Sequence, residues 1–185
     1  MPDLPISGLP LAGTLTGTEI FPLVQGGITK YSTLDTITEH NATYGIFQTN
    51  QSLSSSANVS QSFVIDTTDE AVGITLSNNS RLNFTDTGVY DIQFSAQVQQ
   101  GAGKALIYIW FKHNGQNIPE SNTAFNVNAN DYAIASWNFI KTFNAGDYAE
   151  IAWMSNQTTT TFPYFDPGNG TPIVPALIVT VTQIR

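Results

Sequence analysis

Catalysis needs nucleophiles, acids or metal ligands that converge, and this chain is poor in all of them. Its 185 residues include two histidines, fourteen acids and no cysteine. His40 falls in a connector and His113 beside a hairpin turn, so both read as surface side chains rather than a general base or a metal pair. Asp66, Asp69 and Glu70 have the chemistry of paired glycosidase carboxylates or of calcium ligands. Their surroundings predict a turn between strands, where solvated acids are ordinary. Asp86 and Asp91 flank another turn and a wet strand face. Asp147 and Glu150 follow a turn at an odd spacing, which sends them to opposite faces of a strand. No Gly-x-Ser-x-Gly elbow occurs, and no helix follows Gly168-Asn169-Gly170 to make it a phosphate cradle. The expectation is no enzyme, no metal and no cofactor.

One further segment, residues 155–175, carries Phe162, Tyr164 and Phe165 among Pro and Gly. Exposed, these rings would make a platform for sugar, and they are the candidate ligand loop for a host surface glycan. Folded back, they would plug the end of a sandwich, which is the favoured reading.

The elements that would hold such residues are strands. Charged residues make up only 11% of the chain, and polarity comes instead from abundant Thr and Asn. Thr suits pleated strands, and Asn suits turns and left-handed positions. Helix formers are few, so the composition predicts an all-β protein. A net charge of −8 and a pI near 4.3 weigh against nucleic acid and against anionic membrane surfaces. No run approaches the roughly 18 apolar residues of a spanning helix, so no membrane insertion is expected. The first residues also lack the pattern of a signal peptide. Absence of cysteine suits folding in a reducing cytoplasm. Seven Asn-x-Ser/Thr sequons therefore read as a by-product of composition.

Turn signals and strand-like runs alternate at short spacing from about residue 44. Strands are predicted near 44–49, 61–66, 72–77, 81–84, 89–99, 104–113, 123–128, 133–143, 147–155 and 175–184. Asn114-Gly115 is a two-residue hairpin signal, and Asn144 to Asp147 a second tight turn. Strand 89–99 alternates Tyr90, Ile92, Phe94, Ala96 and Val98 with Asp91, Gln93, Ser95, Gln97 and Gln99, so it has one buried face and one wet face. Strand 105–111 is apolar on both faces: Ile107, Ile109 and Phe111 on one, Leu106, Tyr108 and Trp110 on the other. Either a loop or arm folds over the second face, or a neighbouring subunit does. The subunit reading is preferred, which makes Leu106, Tyr108 and Trp110 the candidate trimer interface.

The first forty residues are different. Pro2, Pro5, Pro10 and Pro22, with five glycines between Gly8 and Gly27, predict neither a long helix nor a regular strand. Only Thr33 to Thr38 offers a possible helical turn. Yet Leu4, Ile6, Leu9, Leu11, Leu15, Phe21, Leu23 and Val24 are too apolar for a free linker. Residues 1–40 therefore read as an extended anchoring arm laid on a partner, and residues 41–185 as the folded domain.

Two resemblances extend this reading. Ile6-Ser7-Gly8-Leu9-Pro10, Leu15-Thr16-Gly17, Glu19, Pro22 to Gly27 and Thr29-Lys30 resemble the leader at the start of many phage tail-fibre and virion structural proteins. That resemblance implies attachment to a particle. Residues 44–185 are similar to the trimeric jelly roll of the complement globular heads and tumour necrosis factor. The carrying residues are Phe84, Gly88, Tyr90, Ile92 and Phe94, the Asn114-Gly115 hairpin, Ala145 to Tyr148 leading to Ile151 and Trp153, and the closing run Leu177 to Ile184. The spacing from Phe84 to Gly88 is shorter than that family's. The resemblance implies a ten-strand jelly-roll sandwich and a homotrimer with its inner sheet facing the axis.

Together these give an expected function: a bacteriophage structural protein of the virion, assembled in the host cytoplasm. It would be a trimeric capsid decoration (cement) or head-fibre protein held to a capsid or tail protein by its arm. The alternative is a short tail fibre whose jelly-roll tip binds a host surface glycan.

Overall fold

Asn and Gly set the turns of this chain. In the computed structural model, which describes residues 13–34, 43–54 and 56–185, seven non-glycine residues have positive φ, and all but Glu120 are Asn. Asn tolerates the left-handed region better than other side chains, so its abundance is spent on loop reversals. At Asn114 (φ 49°) and Gly115 (φ 78°) both residues are left-handed, the requirement of a tight two-residue hairpin.

The chain divides into two units, Met1–Asn41 and Ala42–Arg185. In the first, β1 (Ile20–Gln25) and β2 (Ile28–Thr33) form an antiparallel hairpin closed by Gly26 and Gly27, at φ 61° and 77°. This corrects the expectation of an arm without regular strands, and it puts Thr33 in a strand rather than a helical turn. Pro22 is tolerated for a reason of register. Leu34 N–H bonds the Glu19 carbonyl, so alternate pairs place Pro22 opposite Tyr31 in a pair that exchanges no hydrogen bonds. Its missing N–H costs the ladder nothing. The Gly-Gly pair was the legible signal.

The second unit is a sandwich of two seven-stranded sheets, antiparallel throughout. Its strands are β3 (Tyr44–Thr49), β4 (Leu53–Ser54), β5 (Gln61–Ser62), β6 (Thr67–Val72), β7 (Ile74–Ser77), β8 (Arg81–Phe84), β9 (Gly88–Gln100) and β10 (Ala105–His113). Then follow β11 (Gln116–Asn117), β12 (Thr123–Val127), β13 (Asp131–Phe143), β14 (Tyr148–Ser155), β15 (Thr160–Phe162) and β16 (Leu177–Gln183). In one sheet β9 is central, pairing β13 on one edge and β16 then β15 on the other; β3 and β6 follow β16. In the other, β10 lies between β14 and the pair β11 and β12, and β14 carries β5 and β8, which pairs β7. Strands adjacent in sequence, β9 and β10 or β13 and β14, lie in different sheets, as jelly-roll winding requires.

Two predicted boundaries move. Of 61–66 only Gln61–Ser62 joins a ladder, while Phe63 and Ile65 turn fully inward. The acidic stretch read as a turn is β6, the edge strand beside β3. Charges there are edge protection: they keep an open ladder from pairing with another chain.

Both sheets send alternate side chains into one core. Tyr90, Ile92, Phe94, Ala96 and Val98 face Ile107, Ile109, Phe111, Ile151 and Trp153, all buried. The one-sided reading of 89–99 holds.

Candidate functional site

Among the described residues the titratable groups do not converge. His113 Nε2 lies 2.9 Å from Asp147 Oδ2, half-buried beside the hairpin rather than on open surface. The Asp147 carboxylate accepts from Asn114 Nδ2 at 2.7 Å and from the Asn144 N–H at 2.8 Å. Those two bonds, and then His113, draw its pKa from 3.8 to about 2. The arrangement ties the β10–β11 turn to the start of β14. Glu150 points elsewhere, buried and accepting from Ser80 Oγ at 3.0 Å. Burial works to raise the Asp66 carboxyl, but bonds from the Asn50 N–H, Gln51 and Thr67 outweigh it and hold it below the usual range. That direction is opposite to what a general acid needs. Asp69 is bound by Gln48, and Glu70 by the Tyr44 hydroxyl, whose pKa it raises. Among the described residues no three His, Cys, Asp or Glu side chains group as metal ligands. His40 lies outside the described residues.

Asp147 gives a pH prediction. Its folded pKa is depressed, so its contribution to stability is whole above the ordinary 3.8 and is lost as pH falls through about 2. Urea midpoints measured across that window are expected to drop more steeply for wild type than for Asp147→Asn. Parallel curves would remove Asp147 from the acid response.

The aromatic loop resolves into its parts. Phe162 is fully buried, packed edge-on at 4.7 Å from Phe63 and 4.6 Å from Trp153. It is a plug, not part of a platform, because an apolar ring at a sandwich end gains more from burial than from water. Tyr164 packs partly on the core, and only Phe165 is exposed, at 43%.

Leu106, Tyr108 and Trp110 do point away from the core, on the outward face of β10. Each is half-buried within the chain, which is the cover that the sequence reading assigned to a neighbour. Trp110 Nε1 donates to Asn117 Oδ1 at 2.7 Å. Tyr108, Trp110 and Asn117, together with Ile118, Asn122 and Met154, line an open cleft of about 290 Å³. Segment 116–122 walls this face beside Tyr108 and Trp110, so part of the cover of these two side chains comes from the chain itself.

The larger exposed apolar side chains of the sandwich lie on the other sheet. Tyr132, Ile134 and Ile140 of β13, Ile178 of β16, Ile46 of β3 and Val72 of β6 all face outward. In register between them stand Gln93, Ser95 and Gln97 of β9. Part of the signal was in the sequence: the outward positions of 132–140 carry Tyr132, Ile134 and Ile140, with Ser136 and Asn138 between them.

In the first unit Leu15, Phe21 and Val24 are exposed and Leu23 is half-buried; Ile20, Ile28 and Tyr31 are exposed too. Leu4, Ile6, Leu9 and Leu11 lie outside the described residues.

No protein-family model matches the chain, and no curated protein sequence does. Solved structures do. The globular domain of zebrafish complement 1qA superposes with a TM-score of 0.51 at 13% identity, covering 78% of this chain and 98% of that one. Eiger, a tumour necrosis factor from S. frugiperda, gives 0.56 at 9%, covering 79% and 94%. The fold is the complement-head and tumour-necrosis-factor jelly roll. At these identities the likeness is one of architecture, and the described β1–β2 hairpin belongs to a separate unit.

Proposed function

We propose that the protein is a non-enzymatic structural component of a bacteriophage virion, a homotrimer attached to the particle through its first forty residues. The observation that carries this reading is the β1–β2 hairpin. Val24 is 72% exposed, and Ile20, Ile28 and Tyr31 are comparably bare. A two-stranded hairpin is marginal in water by itself, and one this apolar gains stability only against another surface. The resemblance of residues 6–30 to phage virion leaders names that surface as a capsid or tail protein. A jelly roll following the leader without a shaft favours a capsid decoration or head-fibre knob.

The trimer is proposed through the β3–β6–β9–β13–β16 face, not through Leu106, Tyr108 and Trp110. It carries Ile46, Val72, Tyr132, Ile134, Ile140 and Ile178 exposed, and the resemblance to the trimeric jelly rolls implies a sheet turned toward a threefold axis.

Deleting residues 1–41 is expected to leave the remaining unit folded and trimeric but absent from particles. Gel-stained virions assembled with the truncated protein check this, and normal occupancy would overturn the anchoring role. If decoration is the task, adding full-length trimer to bare capsids raises their resistance to heat, because a ligand of the intact shell stabilises it by mass action. The second reading is a short tail fibre that binds a host surface glycan, favoured by the aromatic cleft beside Trp110. In that case capsids are indifferent, and the trimer competes with phage for cells.

A further inference from the structure

The Trp110 cleft has a composition that selects a ligand class. We infer that it binds a neutral saccharide ring. Tyr108 and Trp110 stand two residues apart on one face of β10, and Met154 lies opposite Tyr108 in register on β14. They form an apolar floor suited to the C–H face of a pyranose, which stacks on aromatic rings much as an apolar group does. The indole is held in place by its bond to Asn117 Oδ1. That bond uses the amide oxygen, and the Nδ2 hydrogens of Asn117, an exposed residue, are engaged by none of the described residues. The Asn122 amide is likewise engaged by none of the described residues and offers both a donor and an acceptor. A floor of rings with rim amides is what a ring of hydroxyls over a C–H face requires.

The charge of the walls narrows the class further. None of the six lining residues carries charge at neutral pH. A phosphate, carboxylate or ammonium ligand would give up part of its hydration against walls that offer no counter-charge. A neutral hydroxylated ring suffers no such penalty. A volume of about 290 Å³ holds one ring rather than a large cofactor. A second cleft, of about 310 Å³, shares Asn117 and Ile118 but is lined also by His113 and Lys141, so the uncharged character belongs to the Trp110 cleft alone. The inference supplies a site for the receptor-binding reading, yet all six walls belong to one chain, so it holds whatever the particle or the oligomer.

The test uses the full chain labelled with ¹⁵N. Its three tryptophans give three indole N–H signals, and Trp110→Leu identifies the one at the cleft. The probes are methyl α-glucopyranoside, methyl β-galactopyranoside, methyl α-rhamnopyranoside, methyl N-acetyl-β-glucosaminide and the β1,4 dimer of N-acetylglucosamine. At least one is expected to shift the Trp110 signal saturably, with a Kd of roughly 1–10 mM, weakened about tenfold or more in Asn117→Ala. Asn122→Ala, at an exposed position, is expected to weaken it as well without altering thermal unfolding. No shift with any probe up to about 50 mM, or equal binding by the Trp110→Leu variant, would overturn the inference. So would saturable binding only of an apolar peptide. Competition between the protein and phage for host cells tests the receptor reading separately, and either result can fail while the other stands.

Discussion

In sedimentation velocity at low micromolar concentration the protein is expected to run as a trimer, and the Ile134→Asp, Ile178→Asp double variant as a monomer. Ile134 is 66% exposed and Ile178 38%, on strands that flank β9 from either edge. Ile134 stands opposite Gln97 and Ile178 opposite Ser95, two neighbouring outward positions of β9. Each isoleucine buried in an interface is worth about 1.5–3 kcal/mol. An aspartate in the same place must be desolvated without a partner, which costs several kcal/mol more. Threefold symmetry counts both terms three times per assembly, so dissociation is complete rather than partial. Folding is spared, because these side chains are exposed within the protomer. Trp110→Asp serves as the control and is expected to stay trimeric. Dissociation by Trp110→Asp with an intact double variant would return the interface to the β10 face. A wild-type monomer by light scattering would end the trimer reading.

The second large effect is on stability. Trp153→Ala is expected to cost about 3–5 kcal/mol in denaturant unfolding, the range for removing a buried aromatic ring. Trp153 has no exposure, lies edge-on to Phe162 at 4.6 Å and sits 5.9 Å from Phe63. Its indole N–H makes no hydrogen bond, so the loss is one of packing and apolar burial. The three rings join β14, β15 and the inward-turning segment after β5, so the cavity opens where the two sheets are held together at one end. Against a total of about 5–15 kcal/mol, such a loss removes a large share of the margin. Trp153→Phe keeps most of the volume and should cost much less. A change below about 1 kcal/mol for Trp153→Ala would show that the cluster does not hold this end of the sandwich.

Particular residues show where sequence reading worked. Alternation in 89–99 fixed which side chains of β9 enter the core, because a strand has a period of two and only one choice buries Tyr90 to Val98. Asn114-Gly115 fixed a hairpin, because two successive left-handed residues leave a chain few other paths. The β1–β2 hairpin was missed although Gly26-Gly27 announced it, since Pro22 was weighed as a breaker without knowing its place in the ladder.

What the sequence could not decide was what covers what. Leu106, Tyr108 and Trp110 make a second apolar face in β10, while Tyr132, Ile134 and Ile140 make one in β13 that Ser136 and Asn138 interrupt. Neither pattern says along one dimension what lies against it. Tertiary structure separates them: segment 116–122 walls the first into a cleft, while Tyr132, Ile134 and Ile140 stay exposed among the described residues. The acids of β6 were read as a turn because edge protection and a solvated loop call for the same residues. Local rules set the strands and their inward faces, because propensity and period act over a few residues. Which outward face stays open depends on contacts between segments far apart in the chain, and only the folded sandwich determines those.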